Sequence, residues 1–183
     1  LVYINAMTDM CLPEIDGLYI GGGFPETGAT KLAANKAFRT SVKQAADDGL
    51  PIYAECGGLI YLGESISLSG ESYPLTGVFP AQFAMSKKPQ AHGYSIFEVD
   101  SENGYYPVGT EVKGHEFRYS KVVDWRGSTD QLTVKMKRGT GFIDGRDGVK
   151  YKNVFALYTH VHAEGTPEWT KGFVAKCTSN KAA

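Results

Sequence analysis

Cys56 stands in Pro51-Ile-Tyr-Ala-Glu-Cys-Gly-Gly-Leu-Ile-Tyr-Leu62, where one apolar segment runs through an acid, a thiol and two glycines into another. A β-strand, a sharp turn and a helix write this pattern. Such a turn presents the Cys56 thiol at the end of a sheet, as the strand–turn–helix elbow of α/β hydrolases presents its nucleophile. The glycines have no Cβ and let other backbone come close. A helix N-terminus beyond Cys56 is expected to favour the thiolate. The plainer reading of any free cysteine is a buried structural one. The Glu-Cys-Gly-Gly context weighs against it for Cys56, whereas Cys11 and Cys177 have no such context.

A nucleophilic thiol needs a base, and the chain has 4 histidines: His92, His115, His160 and His162. His160 and His162 follow an apolar run over 154–158, and the open end of a parallel sheet would bring them near the elbow. Residues two apart on a strand share a side. One can then be the base while the other orients it. A His-x-His metal pair is a rival reading, but no third ligand of suitable spacing stands close by. Satisfied structural histidines are another. His115 and Glu116, in Gly114-His-Glu-Phe-Arg-Tyr-Ser120, sit among polar groups and are candidates for support. Acyl transfer also needs an oxyanion hole of backbone N–H groups. Gly57, just after the thiol, is one natural donor. Gly22 and Gly23, in the triplet that ends an earlier strand, can offer the second. A glycine triplet equally suits a phosphate cradle, but no Gly-Lys-Ser/Thr follows it.

These residues need elements to hold them. Residues 1–4 and 17–20 read as short apolar strands. The Ala-rich stripe over 30–48 predicts a helix, with Gly49 at its C-terminal cap. Pro51 opens the next strand, and 57–65 a short helix. Strands alternating with helices argue for a parallel sheet. From 70 to 137 the pattern changes to short β-like runs at 75–78, 82–85, 94–99, 111–112, 117–123 and 132–136. Hairpins added antiparallel to the sheet would look like this. Residues 144–148 predict a hairpin turn, 154–158 a buried strand and 168–177 a final helix. The fold class is therefore α/β, with a mainly parallel central sheet and antiparallel additions.

A chain of 183 residues suits one domain with a substantial core. Net charge is −1, with no run of Lys or Arg, which speaks against a nucleic-acid or membrane-surface partner. No apolar run approaches the ~20 residues that span a bilayer. The 3 widely spaced cysteines suit a reducing cytoplasm, and no Cys-x-x-Cys pair exists to hold zinc.

Four motifs taken together resemble a known family. They are Gly17-Leu-Tyr-Ile-Gly-Gly-Gly-Phe-Pro-Glu26, Ala54-Glu-Cys-Gly-Gly-Leu-Ile-Tyr-Leu62, Gly114-His-Glu-Phe-Arg-Tyr-Ser120 and Tyr158-Thr-His-Val-His162. In this order they look like the glutaminase domain of the a,c-diamide synthases that act on cobyrinic acid and related tetrapyrroles, class I glutamine amidotransferases of the cobalamin-synthesis type. The resemblance covers nearly the whole chain. It implies a flavodoxin-like three-layer fold. It implies that Cys56 attacks the side-chain amide of glutamine, forms a γ-glutamyl thioester and releases ammonia, with His160 as the base. Common class I glutaminases carry an acid two residues after that histidine, and His162 stands there instead. The resemblance further implies a partner: an N-terminal synthetase domain of the same polypeptide that uses ATP and Mg2+ to activate acetate side chains of a corrinoid or other tetrapyrrole. Residues 1–183 then correspond to the glutaminase domain without that half, and without a strand that the family has before Leu1. No cofactor is expected in the glutaminase part itself. Arg118 replaces the second histidine of the family's Gly-His-Glu-Phe-His-Tyr-Ser, a change expected to touch contacts with the synthetase domain or substrate rather than the Cys–His pair. The other readings of the elbow are a cysteine hydrolase or peptidase of related α/β fold, and a non-catalytic binding domain that keeps the scaffold.

Overall fold

The computed structural model of the chain describes residues 1–181. Its elements run β1 (Leu18–Ile20), a 3-10 turn (Pro25–Gly28), α1 (Ala29–Ala34), α2 (Lys36–Asp47), β2 (Ile52–Glu55), α3 (Gly57–Tyr61), β3 (Ser65–Leu68), β4 (Glu71–Pro74), β5 (Ala81–Met85), β6 (Ala91–Val99), β7 (Glu111–Arg118), β8 (Ser120–Trp125), a second 3-10 turn (Thr129–Gln131), β9 (Leu132–Arg138), β10 (Arg146–Tyr151), β11 (Val154–Leu157) and α4 (Pro167–Lys181). The main sheet has 7 strands in the order β1-β2-β11-β10-β9-β6-β7. β1, β2 and β11 pair in parallel, and every further step to β7 is antiparallel. The antiparallel additions thus extend one side of a short parallel core. A second sheet of 4 strands, β4-β3-β5-β8, holds the rest.

β2 and β11 are buried along their whole length, which is what a strand covered on both faces requires of its sequence. Alternation on β2 sends Ile52 and Ala54 into the cluster shared with Val42, Ala46 and Leu59 of the helices on one face. Tyr53 goes to the other face, among Tyr106, Phe155 and Trp169. There the Trp169 ring of α4 stacks on Tyr53 at 4.6 Å and on Tyr19 at 5.6 Å. Such pairs contribute about 0.5–1.5 kcal/mol each beyond their buried area. Helix, sheet and helix are the three layers.

Several sequence expectations are corrected. Residues 1–4 form no strand; they join no ladder, and Leu1, Val2 and Tyr3 are exposed. An apolar run without a hydrogen-bonded neighbour has nowhere to satisfy its backbone as a strand. The helix expected over 30–48 breaks at Asn35, whose ψ of 66° leaves the helical region and whose side chain caps α2 by accepting from the Phe38 N–H. Its amide Nδ2 also donates to the carbonyls of Ala6 and Asp9. The run at 75–78 is a buried strap: Leu75, Thr76 and Gly77 donate to the carbonyls of Glu64, Tyr61 and Gly63, around the end of α3. The run at 117–123 divides at Tyr119 between β7 of one sheet and β8 of the other. At 144–148 only Asp144 and Gly145 make the tight turn, with φ of 50° and 71°, and Gly148 lies inside β10. Gly49 ends α2 at φ 93°, as a left-handed cap should.

Candidate active site

β2 ends at Glu55, and the next residue turns hard. Cys56 has φ 44° and ψ −99°, and α3 begins at Gly57. A side chain with positive φ costs about 1–3 kcal/mol and persists where its surroundings over-determine it. Here the Cys56 N–H is held by the Leu157 carbonyl at 2.8 Å, across the β2–β11 seam. The elbow read from the sequence is therefore present. The poised thiolate is not. Cys56 is 5% exposed, and burial pushes its thiol from 9.0 up to about 11. The Arg118 charge and the Gly57 N–H pull the other way and lose. A helix as short as α3 (5 residues) offers little dipole to offset desolvation.

The glycine triplet ties this elbow to a histidine. A Cβ on Gly22 would fall 2.2 Å from His160 Cε1, and one on Gly57 would fall 2.5 Å from the Gly23 carbonyl oxygen. A Cβ on Gly58 would fall 2.4 Å from the Ile20 carbonyl oxygen. At Gly57 and Gly58 a side chain would strike the backbone of β1 and its loop, whereas at Gly22 it would strike the His160 ring. The loop is thus wedged between the imidazole of His160 and the residue that follows Cys56. His160 lies three residues beyond β11 and is fixed by a two-way backbone pair with His115, at 2.8 Å and 3.1 Å. The two imidazoles stack at 4.8 Å and 16°. Burial first, and the His115 charge second, lower the His160 pKa below the usual 6.5, while Glu116 raises it. The two lowering effects favour the neutral imidazole, the form that a base needs.

Glu116 is engaged elsewhere. Its carboxylate accepts from the N–H groups of Thr140 and Gly141 and meets Arg118 Nε at 3.5 Å. Arg118 is itself buried, donating to the carbonyls of Ser120 and Gly141 with its guanidinium 3.8 Å above the Tyr158 ring. Arg118 is thus a core cation that closes a carboxylate cluster. The expectation for His162 is corrected. The chain leaves the β conformation after Leu157, so the two-residue alternation does not extend to it, and its side chain is exposed.

Sequence reasoning passed over Glu55. It is 3% exposed, its Oε1 accepts from the Val161 N–H at 3.4 Å, and its Oε2 lies 3.8 Å from His160 Nδ1. The signal was there: a single acid closing an otherwise apolar strand must have a partner. A cavity of about 880 Å3 opens on the other side of the glycine loop, bordered by Gly22, Gly23, Gly57 and residues 1–4. Neither Cys56 nor His160 lines it, so it is not the place where the two could act together. Among the described residues, no group of three or more His, Cys, Asp or Glu side chains is placed to hold a metal ion, and no helix is long and apolar enough to cross a membrane.

Residues 1–168 match the family described as the CobB/CobQ-like glutamine amidotransferase domain. Among curated relatives, cobyrinate a,c-diamide synthase of Magnetococcus marinus is 40% identical over 92% of this chain and 36% of its own length. The enzyme of the same name from Archaeoglobus fulgidus is 37% identical over 99% of this chain and 39% of its own length. The chain thus spans well under half of either relative. Among solved structures, a glutamine amidotransferase superposes with a TM-score of 0.64 at 20% identity, covering 89% of this chain and 79% of that one. PurLQS from Thermotoga maritima does so with 0.60 at 16%, covering 88% and 78%. At these identities the likeness bears on the fold alone, and the fold is that of the class I glutamine amidotransferases. The chain belongs to the CobB/CobQ-like glutamine amidotransferase domain family.

Proposed function

We propose that Cys56 attacks the side-chain amide of glutamine and that His160 moves the proton. The observation that carries this reading is the Gly22–Gly23 loop, which lies against the His160 ring on one side and against Gly57 on the other. As Sγ bonds to the amide carbon, the thiol proton passes to His160, and the N–H groups of Gly57 and of Gly22 or Gly23 receive the developing oxyanion. His160 then gives its proton to the departing nitrogen, which leaves as ammonia. Water attacks the thioester, glutamate leaves, and the thiol is restored. His115 supports the imidazole by stacking, and Glu116 acts at a distance by charge.

The names of the relatives extend the proposal. The ammonia would amidate acetate side chains of cobyrinic acid or a related tetrapyrrole. A synthetase region of the same polypeptide would activate those carboxylates with ATP and Mg2+. The relatives' length leaves room for such a region. The reducing cytoplasm suits three free thiols.

The test uses 2-amino-4-oxo-5-chloropentanoate, a glutamine-shaped chloroketone. Peptide mass spectrometry is expected to find it on Cys56 and not on Cys11 or Cys177, with excess glutamine protecting. Modification of Cys56 by iodoacetamide but not by the chloroketone would overturn the reading. It would favour a binding domain, or a cysteine hydrolase of another amide. His162→Ala is expected to leave the chloroketone rate within about twofold, as for an exposed residue outside a site. A tenfold loss would return His162 to the catalytic group.

A further inference from the structure

Glu55 is a carboxylate buried at the end of a fully buried strand, and the chemistry above gives it no task. A lone buried charge is costly, so its partners matter. They come from two elements. The Val161 N–H, one residue past His160, donates to Oε1 at 3.4 Å. The Tyr19 hydroxyl of β1 lies close enough to stabilise the charged form of the same carboxylate. The third neighbour is His160, whose Nδ1 stands 3.8 Å from Oε2. Nothing acidic reaches His160 from its own segment, because position 162 is an exposed histidine.

We propose that Glu55 is the positioning carboxylate of His160. It accepts the Nδ1 proton, keeps Nε2 unprotonated toward the thiol, and stabilises the imidazolium formed when Cys56 is deprotonated. The inference rests on the Cys56–His160 reading. The separation of 3.8 Å is an ion-pair distance, not a hydrogen bond. Catalytic hydrogen bonds are often long before substrate binds and shorten as charge develops. Little has to move here, since the carboxylate already holds the backbone beside the ring through Val161. Burial and His115 both disfavour a charged His160, and Glu116 opposes them from a distance; a carboxylate facing Nδ1 would add to that opposition as the imidazolium forms. An acid placed directly before the nucleophile thus replaces one placed after the base.

The groups around the pair set the pH response. Glu55 faces Tyr19 from β1, Tyr53 of its own strand, Tyr106 from the loop before β7, and His160. His160 in turn meets His115 and Glu116 from β7. Burial raises Glu55 from 4.5 to about 7, against the Val161 hydrogen bond and the nearby Tyr19 hydroxyl. A raised carboxylate is protonated below that value and cannot accept from Nδ1. The working form is therefore gained as pH rises through neutrality.

The experiment is the rate of chloroketone labelling of Cys56 in the wild-type chain, Glu55→Gln and Glu55→Asp, between pH 6 and 9. Glu55→Gln is expected to slow the maximal rate roughly ten- to a hundredfold, less than the roughly 10,000-fold known for a serine-protease aspartate. The half-saturating concentration should stay within about twofold. The inflection near neutrality should move, and Glu55→Asp should recover part of the rate. Nitrogen-15 spectra of wild-type His160 give a second readout that needs no variant to fold. The neutral ring is expected as the Nδ1–H tautomer. An Nε2–H tautomer, or a Glu55→Gln chain that labels within twofold on an unchanged pH profile, would overturn the proposal. If the wild-type chain takes iodoacetamide but no chloroketone, the glutamine reading fails instead. The tautomer then decides the Glu55–His160 contact by itself.

Discussion

Iodoacetamide is expected to alkylate Cys56 roughly tenfold faster for each pH unit between 7 and 10, with no plateau near neutrality. The cause is burial. The thiol is raised to about 11, and desolvation outweighs both the Arg118 charge and the Gly57 N–H. At pH 7 only about one such thiol in ten thousand is ionised. Exposed Cys11 reports the behaviour of the reagent on the same chain. The chloroketone should respond differently. It fills the glutamine place and lets His160 take the proton, so its rate should depend much less on bulk pH. His160→Ala should slow it about 100- to 10,000-fold while leaving the iodoacetamide slope unchanged. Peptide mass spectrometry of timed quenches gives both numbers. A plateau for iodoacetamide below pH 8 would mean a thiolate already held ready, and would refute the picture of a proton transferred only on demand.

That contrast shows where the sequence was legible. The elbow could be read because its physics is local: an apolar strand, a residue forced to positive φ, and glycines where backbones touch. The two central strands could be read because burial on both faces leaves an unbroken apolar run. His160 could be placed because it follows such a run. The state of the thiol could not, since it depends on how much protein closes over Cys56. The sequence suggested a helix dipole, and desolvation prevailed. Glu55 was hidden for a related reason: its partner lies over a hundred residues away, and only the parallel pairing of β2 with β11 brings them together. His162 misled because alternation was extended past the last ladder residue. Asn35 was taken as mid-helix, although it is a residue type that prefers caps. The segment at 75–78 has strand composition, yet its hydrogen bonds go to the end of a helix rather than to a sheet.

Replacing Arg118 with Met is expected to destabilise the fold by about 3–5 kcal/mol at pH 7, the usual effect of removing one member of a buried ionic group. Arg118 is the cation among Glu116, which is 2% exposed, and Asp147, which is wholly buried. Without it, the carbonyls of Ser120 and Gly141 lose their donor, Tyr158 loses the guanidinium over its ring, and two carboxylates face each other unneutralised. Against the roughly 5–15 kcal/mol of a typical domain this is severe, and urea melts measure it. The pH dependence identifies the cause. Burial first and the Glu116 charge second raise Asp147 from 3.8 to about 7. The folded chain then holds a proton that the unfolded chain has released between those values, so this group's contribution to stability falls as pH rises through that window. Arg118 acts against the rise; removing it carries the fall on to higher pH. The penalty of Arg118→Met should therefore be largest at pH 7–8 and shrink toward pH 5, where Asp147 is neutral in the folded state. Adding Asp147→Asn should recover part of it at pH 7 and little at pH 5. A loss below about 1 kcal/mol at pH 7, or one independent of pH, would mean that the cluster is not held together by charge. β7 carries Arg118 and Glu116 inward and presents His115 to His160. The same measurement thus tests whether the wall that stacks on the proposed base is anchored by this cation.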